Sequence, residues 1–275
     1  MIHIGTSGYS FKDWKGPFYP IKITNQEMLE FYSRHFRVVE INATYYAIPK
    51  PYTFERMAAR TPEDFQFMVK ANGGMTHERT DNQFVFDEFE TAIQPLVEAN
   101  KLKGILAQFP WSFKNDEENR KYLRTYRDRL AEYPLIAEFR HISWISKPLF
   151  GFLRELGISY CAVDEPNLPG LVPPRVEATS ALGYVRFHGR NAEAWWGGDP
   201  AQRYNYLYSE QELKEWIPKV KQLATSTQET YLFFNNCHGG AAAKNAETMQ
   251  DLLQPDLLKS SEEQDTEAEQ NSQAD

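Results

Sequence analysis

Leu135-Ile136-Ala137-Glu138-Phe139-Arg140 is a short apolar run that ends in charge. Its body has the composition of a buried strand. Side chains alternate along an extended chain, so Glu138 and Arg140 share one face and Phe139 takes the other. Seven more runs of the kind follow the same rhythm, at residues 3–6, 38–42, 65–70, 104–108, 158–164, 184–188 and 231–236, and nearly every one closes on a polar or charged residue. Between them the apolar positions switch to helical spacing, which predicts helices over 25–35, 51–60, 84–101, 116–131, 147–156, 209–224 and 240–253. Local signals support several of these: Thr24 with Glu27 as a capping pair, Pro51 in a first turn, Gly157 as a terminator and Ser209 as an N-cap. Only the connection from Asp164 to Tyr184 lacks a helix; it carries Pro166, Pro169, Pro173 and Pro174 and reads as an ordered loop.

Strand and helix in alternation imply parallel strands with right-handed crossovers, and eight such units favour a closed barrel. The expected fold is therefore α/β, a TIM-type (β/α)8 barrel forming a single domain over residues 1–255, with helix six replaced by the Pro-rich loop. An open doubly wound sheet is the alternative. Gly5-Thr6-Ser7-Gly8 is only a faint echo of the glycine-rich phosphate turn that such a sheet carries after its first strand.

The chain has 275 residues, enough for one large core. Its net charge of −8 is unevenly spread: residues 256–275 hold seven acids and one base, leaving the rest close to neutral. That segment has almost no apolar content and reads as a disordered, solubilising tail. A near-neutral body argues against broad non-specific binding to nucleic acid. Cys161 sits in an apolar run and Cys237 follows a strand end; neither belongs to a metal-spacing motif. No signal peptide or membrane-length apolar stretch is visible, so the expectation is a cytoplasmic protein with no membrane partner.

In a parallel barrel all carboxyl strand ends meet at one face, where barrel enzymes keep their chemistry. Alternation pairs Glu40 with Asn42, Glu138 with Arg140, and Arg186 with His188. A salt-bridged polar plug is the bland reading of any one pair. A set of three is costly to bury for stability alone and points to a site. Lys70, Arg140, Arg186 and Arg190 set four positive charges at the expected mouth against Glu40, Glu138 and Asp164, which suggests an anionic ligand. Aromatic residues gather in the loops beyond the strands, among them Tyr45, Tyr46, Trp144, Trp195, Trp196, Tyr204 and Tyr206; such rings stack on sugars or bases. Gly239 and Gly240 precede the last helix, where backbone amides could hold a phosphate. A metal held by Glu40, Glu138, Asp164 and His188 is conceivable, but no local ligand motif supports it, and no cofactor is assigned.

These stretches together resemble the YecE-like family, domain of unknown function 72. The resemblance rests on Ile4-Gly5-Thr6-Ser7-Gly8-Tyr9 with Trp14 and Phe18-Tyr19-Pro20, on Glu40-Ile41-Asn42-Ala43-Thr44-Tyr45-Tyr46, and on Phe67 through Lys70 with His77. It continues through Gln108-Phe109-Pro110, Glu138-Phe139-Arg140 with Ser143-Trp144, Asp164, Tyr184 through Arg190, and Phe234-Asn235-Asn236, spanning about residues 2–253. Tyr45 stands where the family usually has Phe. The resemblance implies a TIM-type barrel and supplies no activity.

The functional expectation is an enzyme acting on a small polar or anionic, sugar- or nucleotide-like substrate. Glu40 and Glu138 are the candidate acid and base, with His188 shuttling or orienting a proton. Asn42, Lys70, His77, Gln108, Arg140, Trp144, Asp164, Arg186, Arg190, Tyr206, Asn235 and Asn236 are candidates for substrate binding. Hydrolysis, isomerisation and lyase chemistry all fit two carboxylates and a histidine. A metal-assisted nucleic-acid-processing enzyme and a non-catalytic binding protein are the alternatives.

Overall fold

The structure is a computed structural model and describes residues 1–197 and 200–254, with 200 and 201 by backbone alone. The expected acidic tail lies outside the described residues. Eight strands run in order: β1 Ile2–Ser7, β2 Val38–Ile41, β3 Gln66–Lys70, β4 Leu102–Gln108, β5 Leu135–Glu138, β6 Ile158–Asp164, β7 Leu182–Phe187 and β8 Glu229–Phe234. Every neighbouring pair is parallel, and β1 pairs with β8, so the sheet closes into a barrel. That is the expected TIM-type fold.

Helices α1 Met28–His35, α2 Pro51–Ala59, α3 Gln83–Glu98, α4 Glu117–Arg129 and α5 Lys147–Leu156 follow the first five strands. No helix separates β6 from β7, as the prolines require. Beyond β7 come α6 Pro200–Arg203, α7 Glu210–Lys214 and α8 Ile217–Ala224, and helix α9 covers 241–254 after β8. The single helix expected over 209–224 is two. Pro218 lies in the first turn of α8 and has no N–H to continue the ladder from α7. The start expected at 25 falls at Met28 instead, because Glu27 caps a separate turn by accepting from the Thr24 amide and hydroxyl. The Ser209 cap forms as read, in a reciprocal box with Glu212.

Alternation divides the core into two clusters. The outward faces of the strands pack with the helices into a large aromatic-rich layer. The inward faces make a separate plug in which Val38, Met68, Leu106, Ile136, Cys161, Tyr184 and Phe233 fill the lumen. That plug is the floor on which the charged strand ends rest. Among the described residues no helix is long and apolar enough to cross a membrane.

Candidate functional site

Above the apolar plug, the charged strand ends form one buried network. Arg186 stands at its centre: Nη2 donates to Glu40 Oε1 at 2.7 Å and Nη1 to Glu138 Oε2 at 2.6 Å. The Tyr184 hydroxyl, two residues earlier on the same face, donates to Glu40 Oε2 at 2.6 Å. Glu138 Oε1 also pairs with Arg140 Nε at 2.5 Å and lies 3.2 Å from His188 Nε2. With the Asn235 amide donating to His188 Nδ1 at 3.0 Å, the ring proton sits on Nε2 and points at Glu138. Glu40, Glu138, Arg186 and His188 are all buried. The three i, i+2 pairs therefore converge only in part: both members of β5's pair and of β7's reach the network, whereas β2 contributes Glu40 alone.

The electrostatics lock these groups. Burial alone would raise Glu138, but the Arg140 and Arg186 guanidiniums outweigh it and hold the carboxylate well below its usual range. Burial, reinforced by Arg140, lowers His188 to about 3. At neutral pH Glu138 is a carboxylate and His188 a neutral donor. Arg186 fills the space between the two carboxylates that a metal would need. Among the described residues no group of three or more His, Cys, Asp or Glu could hold a metal ion.

A cavity of about 330 Å³ opens above this layer. Its lining includes Lys70, Gln108, Arg140 and Arg203, with His77 and a surround of Tyr45, Tyr46, Trp111, Trp195, Trp196 and Tyr204. No carboxylate appears among the described residues of that lining. Lys70 Nζ donates to Gln108 Oε1 at 2.9 Å and lies 4.4 Å from the centre of the Tyr45 ring. Burial, with Arg186 and Arg140 adding to it against Glu138, brings the Lys70 ammonium down from 10.5 to about 7. His77, beside Tyr45 and hydrogen-bonded to Thr76 Oγ1 at 2.9 Å, is lowered to about 4 by burial and by Lys70, Arg140 and Arg79. Arg203 Nε is buried without a partner among the described residues.

Glu165 belongs to this assembly although the sequence reading passed over it. It accepts from Arg140 Nη1 at 3.3 Å and from the Val172 amide at 3.0 Å, tying the Pro-rich loop to the network. Burial outweighs Arg140 and raises it to about 7. The signal was available in the alternation: Cys161 and Val163 point into the lumen, so the next inward position after β6 is 165 and not 164.

Asp164 accordingly faces the helix layer. It accepts from Arg190 Nε at 2.9 Å and Nη2 at 2.7 Å, from the Tyr208 hydroxyl at 2.7 Å and from Trp216 Nε1 at 2.6 Å. Arg190 is further paired with Glu215 at 3.0 Å and Glu212 at 3.5 Å. The expectation that Asp164 and Arg190 share the mouth with Glu138 and Arg186 is corrected by this parity. Asp164→Ala strands a buried indole N–H and a buried hydroxyl together with Arg190. It is expected to cost about 2–4 kcal/mol in urea unfolding; an unchanged midpoint would show that the cluster contributes nothing.

Four other candidates lie apart from that cavity. Trp144 is buried, donates to the Phe113 carbonyl at 2.6 Å and stacks on Phe139. Tyr206 pairs through its hydroxyl with Glu212. Asn236 faces outward, donating to the Tyr206 carbonyl at 2.8 Å and to Asn245 Oδ1 at 2.9 Å, and so fastens the 204–208 segment to α9. Gly189, at φ 89°, lets Tyr206 pass where a Cβ would meet its side chain at 2.7 Å. Asn42 lies beyond β2 on the wall of a different cavity, its Oδ1 buried and unpartnered. The turn at Gly239, read as a phosphate cradle, already holds an anion of the chain's own: Asp13 Oδ2 accepts from the Gly239 amide at 2.7 Å.

Comparison with known proteins extends the match beyond the site. The family model described as protein of unknown function DUF72 matches residues 3–270. The UPF0759 protein YunF of Bacillus subtilis (strain 168) is 37% identical over 270 residues, 92% of this chain and 95% of that protein. A crystal structure of a DUF72 family protein from Thermotoga maritima superposes with a TM-score of 0.86 at 44% identity, covering 92% of this chain and 99% of that one. One from Enterococcus faecalis superposes with a TM-score of 0.83 at 30% identity, covering 92% and 96%. Whole-chain agreement in sequence and in the barrel makes this protein a member of the DUF72 family.

Proposed function

We propose that the protein is an enzyme that holds a small anionic, ring-bearing substrate, sugar- or nucleotide-like, in the mouth cavity and moves a proton with Lys70. The observation that carries this reading is the cavity lining: three cationic side chains, Lys70, Arg140 and Arg203, under a ring of aromatic side chains and without a described carboxylate. Guanidiniums suit carboxylate or phosphate, and aromatic faces suit a flat ring or sugar face.

Within this reading the roles shift from those expected of the sequence. Glu40, Glu138 and His188 are positioning residues: they fix Arg186 and Arg140 and so hold the Arg140 guanidinium at the cavity wall. Lys70 is the cavity-lining group suited to exchange protons near neutral pH, because burial and the neighbouring guanidiniums bring its ammonium down to about 7. Proton abstraction beside an anchored anion is the step of isomerases and lyases, and this is the reaction class we assign. Arg140 would stabilise negative charge developing on the substrate.

Inorganic phosphate and limited acetylation test the reading without a known substrate. An ordinary lysine is unprotonated about once in 3,000 molecules at pH 7, so Lys70 is expected to be acetylated at least tenfold faster than the surface lysines. Phosphate is expected to slow that labelling, and Arg140→Gln to abolish the protection. Phosphate that neither binds nor protects Lys70 in peptide mass spectra would overturn the assignment.

A further inference from the structure

We propose that the ligand has a second, apolar arm, seated in a cavity that the mouth site does not use. This rests on the reading of the mouth cavity as an anion site and extends it to the substrate's other end. The second cavity, of about 450 Å³, lies between the loops that leave β1 and β2, at the same end of the barrel. Its walls come from Phe11, Ile41, Pro49, Phe54 and Met57, and no charged side chain appears among its described lining. A volume of this order and an apolar lining with a few polar points are what small-molecule sites offer.

One residue ties this cavity to the mouth site, and two further features shape it for an occupant. Tyr46 lines both cavities, so they are separated by no more than one side chain. It is also 84% exposed, held by little but an edge contact with Tyr45, and can swing without breaking the core. Gly8, at φ 97°, leaves the space that Phe11 fills: a Cβ there would meet the Phe11 ring at 2.9 Å. The wall is thus shaped by a residue with no side chain of its own. Asn42 Oδ1 is buried on this wall and accepts nothing. An unpartnered acceptor in an apolar setting calls for a donor from the occupant.

The ligand class follows. It carries a phosphate or carboxylate head for Lys70, Arg140 and Arg203. A short link passes Tyr46, and an alkyl or aryl arm bearing one N–H, such as an amide, meets Asn42.

A homologous series reads this directly. Binding of inorganic phosphate, butyl phosphate and hexyl phosphate is measured by calorimetry on the full chain. Each buried methylene is worth roughly fourfold in affinity, so hexyl phosphate is expected to bind at least ~10-fold more tightly than phosphate. Ala47→Trp, on the exposed loop lining the cavity, is expected to collapse that ratio toward one. An amide placed in the alkyl chain should raise affinity in the native protein, and Asn42→Leu should remove the gain. If phosphate binds but the ratio stays at one, the apolar arm is wrong and the anion site stands. A ratio that survives Ala47→Trp means that the chain lies elsewhere and also overturns the proposal. If no member of the series binds, the anion site and the arm built on it fall together.

Discussion

Arg186→Leu is expected to destabilise the barrel by about 3–5 kcal/mol at pH 7, because it leaves buried carboxylates without their cation. Leucine fills part of the volume but donates nothing. Glu138 keeps Arg140 and His188, whereas Glu40 keeps only the Tyr184 hydroxyl among its side-chain partners. Glu40 is then a buried carboxylate with no cation beside it, and that uncompensated charge is the source of the loss. Adding Glu40→Gln to Arg186→Leu should recover part of the loss, since the uncompensated charge is then gone. Urea unfolding of the single and double variants at pH 7 reads these differences; a midpoint equal to the native one would sink the account.

Lys70→Met carries the opposite sign. The lysine is brought down from 10.5 to about 7 by its surroundings, so the folded state binds its proton less readily than the unfolded chain does. Stability from this residue is thus lowest below pH 7 and rises with pH between about 7 and 10.5, where only the unfolded chain remains protonated. Methionine removes that penalty but strands the Gln108 carbonyl oxygen that Lys70 Nζ now satisfies. The net expectation at pH 7 is a gain on the order of 2–4 kcal/mol, together with loss of whatever turnover the native protein shows. The measurement is the difference between native and variant urea midpoints across pH 6–9. A difference that does not narrow as pH rises would show that Lys70 titrates as an ordinary lysine. A fold stabilised by losing Lys70 would mark it as a residue retained for activity at the expense of stability.

The barrel was legible because its evidence is periodic. Eight apolar runs alternating with stretches of helical spacing, each run stopped by a polar side chain, leave little room for another topology, and the Pro-rich stretch announced the missing helix. Helix ends were read less well where one residue decides them, at Glu27 and Pro218. The site was legible to the extent that parity could be fixed within a run. Glu138 with Arg140, and Arg186 with His188, reach one network as alternation expects, whereas Glu40 and Asn42 part because the backbone turns at Asn42 into the short helix that follows β2. Asp164 ends β6 on the outward face, and the inward residue, Glu165, lies one step further, so a strand end alone does not reveal which side chain enters the lumen. Tyr184 was hidden for another reason: a tyrosine within an apolar run looks like packing until its hydroxyl finds a carboxylate from a distant strand. The closure of the cavity by Arg203 and the Trp195–Trp196 turn comes from a long excursion after β7, whose path no local period encodes.

The bridge from Glu40 to Arg186 joins residues 146 positions apart in the chain. During synthesis Glu40 emerges long before Arg186, the guanidinium that reaches it, whereas Glu138 has Arg140 close behind it. Until β7 arrives, the growing barrel carries an unmatched acid on the surface that must become its interior. An N-terminal fragment ending before β7 is for that reason expected to be a poor independent folding unit, because the cation that neutralises its innermost acid arrives only with the last strands.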